Sequence, residues 1–214
     1  MARTSGPETR EKLIRAAEEV FAAQGVDGAQ LRDIVRLAGQ SNPSAVQYHF
    51  GSRGGLLDAV MAERQRRTEQ VLTAELERAG ADAAGLCGLL TALVSAEATE
   101  LRTERGRRCL RVCAQLSHES GVRTRTPHPT LDGTVYWSLI GRLEDCLAAE
   151  LPEPVRLERL DLALTLIGAA MSDRARQYLA GSTPLTGEDV FLADLVQTTA
   201  ALLRAPRPTL GASS

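Results

Sequence analysis

Between Asn42 and Arg53 the sequence gathers Asn42, Ser44, Gln47, Tyr48 and His49, side chains that are polar and able both to donate and to accept hydrogen bonds. Their chemistry is recognition rather than bond-making. Asparagine and glutamine amides can pair bidentately with adenine, and hydroxyl or imidazole groups can hold phosphate oxygens. Gln30, Arg32, Gln40, Ser41 and Pro43 lie just before or within this stretch. A second constellation is Cys109 and Cys113, four residues apart, with His118 nearby. Those are donors of a metal or redox site, but no second ligand pair has zinc spacing, and buried thiols are the plainer reading. His118 and His128 flank a loop rich in arginine and proline (Arg123, Arg125, Pro127, Pro129) that reads as solvated. No GxSxG elbow, phosphate loop, HExxH or dinucleotide fingerprint occurs, so no enzyme, catalytic residue, cofactor or metal is expected.

The elements that must position these residues all read as helix. Leu13, Ile14, Ala17, Val20 and Phe21 recur at three- and four-residue steps over Pro7 to Gln24, and Gly25 suits the stop. A shorter helix over Leu31 to Ala38 carries Leu31, Ile34, Val35 and Ala38, followed by Gly39. A third begins at Asn42-Pro43, with Asn42 as N-cap, and ends near Phe50-Gly51. Two short helices joined by Gly39-Gln40-Ser41 are the pattern of a helix-turn-helix, whose second helix can lie in the major groove of DNA. Longer helices are expected at 53–79, 83–101, 104–117, 131–150, 154–180 and 187–204, with breakers at Gly80, Ser120 to Pro129, Leu151 to Pro154 and Gly181 to Pro184. The fold class expected is therefore all-α, with about nine helices and no sheet. The domains expected are 1–52 for reading DNA, 53–204 for effector binding and dimerisation, and a disordered tail at 205–214.

The chain has 214 residues and a formal net charge of -2, which gives no whole-chain attraction to nucleic acid. The distribution is uneven. Residues 1–53 hold seven basic against six acidic groups, and Gln30 to Arg53 holds three against Asp33 alone; the remainder holds 18 against 21. Arg3 could reach a minor groove from its tail. Charges interrupt every long apolar run, and Met1 to Pro7 has no apolar signal core, so a cytoplasmic protein without a membrane partner is expected.

The N-terminal stretch resembles the DNA-binding domain of the tetracycline-repressor (TetR) family of transcription regulators. The resemblance rests on Thr9 to Ala17, Phe21, Gly25, Leu31 to Val35, Ala38-Gly39, Tyr48 to Arg53 and Leu56-Leu57. It implies that Ser41, Asn42, Ser44 and Gln47 read bases, that Tyr48 and His49 position phosphates, and that Arg32 reaches phosphate or base. It also gives Arg53 the usual basic position at the start of the fourth helix. Gln30 replaces the family's capping threonine. The loop before the third helix is one residue longer than the commonest pattern, which puts Gln47 where a tyrosine is often found. Gly54 and Gly55 are unusual there, since glycine weakens a first turn by about 1 kcal/mol each relative to alanine.

The resemblance further implies a homodimer that binds a palindromic operator on double-stranded DNA, most simply as a ligand-responsive repressor, with a small-molecule effector of unknown identity. The dimer interface is expected from Leu160, Ile167, Met171, Phe191 and Leu195, and the effector pocket from Cys113, Tyr136, Trp137, Leu164 and Gly168. The alternatives are an activator of the same fold, or a helical interaction module that does not bind DNA.

Overall fold

A computed structural model describes residues 6–42, 44–80 and 85–206. Among these the chain forms nine α-helices and no strand: α1 (Gly6–Gln24), α2 (Leu31–Leu37), α3 (Ser44–Phe50), α4 (Arg53–Ala79), α5 (Leu86–Ala98), α6 (Glu104–Leu116), α7 (Val135–Asp145), α8 (Glu153–Leu179) and α9 (Glu188–Arg204). Single turns of 3-10 helix follow α5 and α6. The tail expectation from residue 207 onward, the Arg3 arm and the Pro43 position lie outside the described residues.

Local chemistry sets the helix ends. Gly25, Gly39 and Gly51 close α1, α2 and α3 with φ of 84°, 68° and 73°, a region open to glycine. The Asn42 Oδ1 accepts from the Ser44 N–H at 2.9 Å, and Ser52 Oγ accepts from the Gly55 N–H at 3.0 Å. Thr103 and Thr134 cap α6 and α7 in the same way. Gln30 at the head of α2 makes no side-chain cap. Gly55 has a steric cause: a β-carbon there would run into the Phe50 carbonyl oxygen, so the tight entry to α4 requires glycine. The expected helix at 131–150 is shorter, because its last five residues leave the helix as turns and its first four precede the helix that the Thr134 cap opens.

Buried side chains fall into two clusters. The N-terminal one joins Leu13, Ile14, Ala17 and Phe21 of α1, Ile34 and Val35 of α2, and Val46 of α3 to Leu56 and Val60 of α4 and Val112 of α6. The larger one is built by α4 to α9 around Leu89, Leu93, Leu139, Leu143, Leu160, Met171 and Leu203. The N-terminal core thus runs past residue 52 into the first turns of α4. At 1.5 Å per residue, α4 is about 40 Å long and continues into the second core at Leu72. Helix α6 packs on both α1 and α8.

The expected interface residues on α8 and α9 take another place. Leu160, Ile167, Met171 and Leu195 are 1%, 4%, 0% and 5% exposed inside the chain's own core. Phe191 is half-buried, with the Arg174 guanidinium 4.0 Å over its ring. Their broad apolar stripes are spent on intrachain packing. The large apolar side chains that α8 and α9 leave exposed are Leu162 and Val190.

Candidate nucleic-acid interface and internal cavity

Helix α3 buries Val46 against α1 and α2 and turns its polar side chains outward. Ser44, Gln47 and Tyr48 follow at steps of three and one, which places them on one helical face. All three are exposed, as are Ser41 and Asn42 in the preceding turn. Tyr48 is 84% exposed, and its ring meets His49 edge to face at 4.9 Å. An aromatic ring left this open makes no contribution to the core of its own chain. His49 and Gln40 are half-buried, and Gln30 and Arg32 are exposed on the flank formed by the start of α2. Phe50 packs on the N-terminal core beneath the Arg10 guanidinium, 5.2 Å from the ring centroid.

Arg53 behaves differently from the others. Its guanidinium donates to the carbonyl oxygens of Val26 and Ala29, the latter at 3.3 Å, and lies 5.4 Å over the Phe21 ring. It ties the α1–α2 loop to the head of α4. Its spacing, the signal available in sequence, is that of a basic residue before a helix and does not reveal the inward turn.

A cavity of about 130 Å³ lies below, between α4, α5, α6, α7 and α8. Cys113, Tyr136, Leu164 and Gly168, four residues read in sequence as an effector pocket, line it together with Met61, Leu93 and Ile167. Trp137 does not line it. One residue further along α7, it packs against the larger core. Ile167, read in sequence as an interface residue, faces the cavity instead.

The inner wall carries an ion pair that sequence reasoning missed. Arg64 of α4 donates to Glu97 of α5, and both side chains are nearly excluded from solvent. Burial works against the Arg64 charge, and the facing carboxylates of Glu97 and Glu100 outweigh it and hold the guanidinium ionised. Burial raises Glu97 above the usual carboxylate range against the pull of Arg64. The Arg64 Nε is buried without a hydrogen-bond partner. A signal existed: Leu57, Met61, Arg64 and Gln65 share one helical stripe, and a charge on an apolar stripe needs a partner. Burial also pushes Cys113 up to about 11 and raises Tyr136, whose phenol feels Glu97 and Arg64. At the rim stand Asp58, Glu119 and His128, with His128 Nε2 3.8 Å from Asp58 Oδ1.

An all-helical chain with an exposed polar helix after a glycine turn, set on a helical body, is a helix-turn-helix protein. Residues 13–60 match the family model described as bacterial regulatory proteins, tetR family, so the N-terminal stretch is similar to that family's. Over 69 residues it is 46% identical to the HTH-type transcriptional regulator SrpR of Pseudomonas putida, a match covering 32% of each protein. It is likewise 46% identical over 69 residues to TtgW, an uncharacterized HTH-type regulator also from Pseudomonas putida, covering 32% of this chain and 51% of that one. These matches therefore span a third to a half of the curated relatives. A crystal structure from Rhodococcus sp., assigned provisionally to the TetR family, superposes over 92% of this chain and 99% of its own with a TM-score of 0.53 at 15% identity, a likeness of fold. No helix among the described residues is long and apolar enough to cross a membrane.

Proposed function

We propose that the chain is a transcriptional regulator that inserts α3 into the major groove of a palindromic operator as a homodimer, and that a small molecule in the cavity releases it. The observation that carries this reading is the outward face of α3, with Tyr48 84% exposed beside Ser44 and Gln47. Exposed hydrogen-bonding groups and an open aromatic ring on a helix-turn-helix suit base edges and phosphates. One such helix reads few bases. Two, about 34–36 Å apart on a dimer, read a palindrome.

Release needs a route from cavity to reading helix, and α6 supplies one. Cys113 and Leu116 line the cavity, while Gln115 Oε1 accepts from the Val26 N–H at 2.8 Å in the α1–α2 loop. Arg105 of α6 clamps the buried Glu18 of α1 with bonds of 2.6 and 2.9 Å, and Arg108 lies 3.2 Å from Glu19. A ligand that displaces α6 moves α1 with it. It shifts the population only to the extent that it binds the DNA-incompetent arrangement more tightly.

The test is a fluorescence-anisotropy titration against DNA from upstream of the chain's own gene, across a salt series. Binding that weakens steeply with salt supports the reading, because each phosphate contact releases counterions. Absence of binding at low salt overturns it. Repression is tested by a reporter under the same DNA, whose expression is expected to rise when the chain is deleted; a fall marks an activator.

A further inference from the structure

We propose that the cavity takes an uncharged single-ring compound with one carbonyl oxygen, and that this oxygen accepts from the Arg64 Nε–H; this rests on reading the cavity as the effector site. Volume sets the size. An apolar cavity of about 150 Å³ holds one benzene ring. The cavity here, about 130 Å³ and open at its rim, holds a single ring with its outer edge toward the opening, and not a fused polycyclic body. The wall sets the kind of ring. Leu93, Leu164 and Ile167 line it with Met61 and Cys113, whose sulfur atoms are 3.8 Å apart. Polarisable sulfur packs favourably against the edge of an aromatic ring.

Charge sets the class. Arg64 and Glu97 neutralise each other across α4 and α5. At the rim Asp58 faces His128 Nε2 at 3.8 Å, and Glu119 makes an interaction of its own within the chain. Among the described residues, no charged side chain of the lining is left free to balance a charged ligand. A carboxylate at the inner end would have to take Arg64 from Glu97, and an ammonium would have to take Glu97 from Arg64. Either exchange leaves a buried charge unpaired, which is the costly outcome.

What the inner end lacks is an acceptor. The Arg64 Nε–H is buried without a hydrogen-bond partner, while Nη2 of the same guanidinium donates to Glu97. A buried donor left unmade carries its full desolvation cost, and an incoming oxygen recovers it. A carbonyl oxygen brings neither charge nor a proton needing a partner of its own. It can accept from Nε after a small side-chain shift while Nη2 stays on Glu97.

Calorimetric titration of the DNA-free chain at pH 7.5 with four probes of one shape tests this. Acetophenone carries the carbonyl; α-methylstyrene replaces its oxygen by a methylene; benzoate and benzamidinium replace the acetyl group by an anion and a cation. Both ions are expected to bind at least about tenfold more weakly than acetophenone. The two neutral probes differ in their transfer from water, so the oxygen contact is read from their affinity ratio in two chains. Replacing the ion pair by apolar groups (Arg64→Met with Glu97→Leu) should lower the ratio of acetophenone to α-methylstyrene affinity by about tenfold, as for one hydrogen bond from a charged donor. Retained binding of α-methylstyrene reports that the variant is folded. A second readout needs no variant: the infrared carbonyl stretch of ¹³C-labelled acetophenone on the unaltered chain is expected below its position in hexane.

An unchanged ratio, as a water molecule held by Nε would give, overturns the proposal. So does a carbonyl stretch equal to that in hexane, an ion that binds as tightly as acetophenone, or no binding of acetophenone. A separate arm adds acetophenone to the DNA complex. Binding with the expected selectivity but without release of DNA overturns the effector reading and leaves the ligand class standing. Release of DNA by probes whose affinities show no dependence on charge or on Arg64 does the reverse.

Discussion

Cys113 shows how burial decides what a side chain can do. The spacing Cys109–Cys113 has the donors of a sensor, yet burial pushes the Cys113 thiol up to about 11 and raises Cys109 further. A thiol protonated at neutral pH is a poor nucleophile. Alkylation of Cys113 by iodoacetamide at pH 7.5 is therefore expected to lag a free cysteine in a model peptide by at least about tenfold. The sign of the linked stability effect follows. The unfolded thiol loses its proton near 9, the folded one near 11, so the stabilisation is complete below pH 9 and is lost as pH rises to 11. Chemical denaturation across that window is expected to show a fall to which Cys109 and Tyr136 also contribute, and which Cys113→Ala reduces by about 2 kcal/mol. A fall unchanged in the variant would assign it to another group. On the face of α3 proposed to read DNA, Gln47→Ala should alter sequence preference, whereas Tyr48→Phe should weaken binding to all sequences alike. Arg53→Ala should weaken all binding too, and its inward bonds mean that a drop in melting temperature accompanies the loss.

Among the elements, α6 carries the heaviest coupling, and its importance is the part least legible in sequence. The ends of the first four helices are legible, because Gly25, Gly39, Gly51 and the Ser52 cap are local signals, whereas the helices expected at 83–101 and 131–150 are shorter at both ends. The outward face of α3 was legible for the same reason: Val46 marks the buried side, and the polar residues fall opposite. Pairings across helices leave no such mark. Glu18 sits on α1 between Ala17 and Val20 and finds Arg105 87 residues away. Arg64 finds Glu97 33 residues away. Nothing in the spacing joins either pair. The consequence can be measured. Glu18 is 2% exposed, so Arg105→Ala leaves a carboxylate buried and unpaired and is expected to cost about 2–4 kcal/mol. Arg108→Ala, which removes pairs with the more exposed Glu19 and Glu104, should cost under about 1 kcal/mol. Equal losses in urea titrations would remove α6 from its place as the clamp on α1.

At the scale of the whole molecule, the net charge of -2 averages a slightly basic N-terminal quarter with an acidic body, so its near-neutrality never bore on whether DNA is bound. The apolar stripes of α8 and α9 are likewise silent on what covers them. An apolar stripe says that a helix is covered, not by what. Leu160, Ile167, Met171 and Leu195 are covered from within their own chain, and a second copy must use what remains outside. Leu162 at 52% exposure on α8 and Val190 at 60% on α9 are the large apolar side chains left there. If a second copy covers them, burying them contributes to the interface at about 25 cal/mol per Å². Leu162→Asp is then expected to yield a monomer by analytical ultracentrifugation and to lower DNA affinity by more than about tenfold, because one α3 replaces two. Its chain-level packing is intact, so circular dichroism should stay helical. Met171→Ala, within the core, is expected instead to cost about 2–5 kcal/mol while leaving the association state at matched folded fraction unchanged. A dimer that survives Leu162→Asp and Val190→Asp together would place the contact on another face of the body. The two α3 helices would then have to reach successive major grooves by a different arrangement.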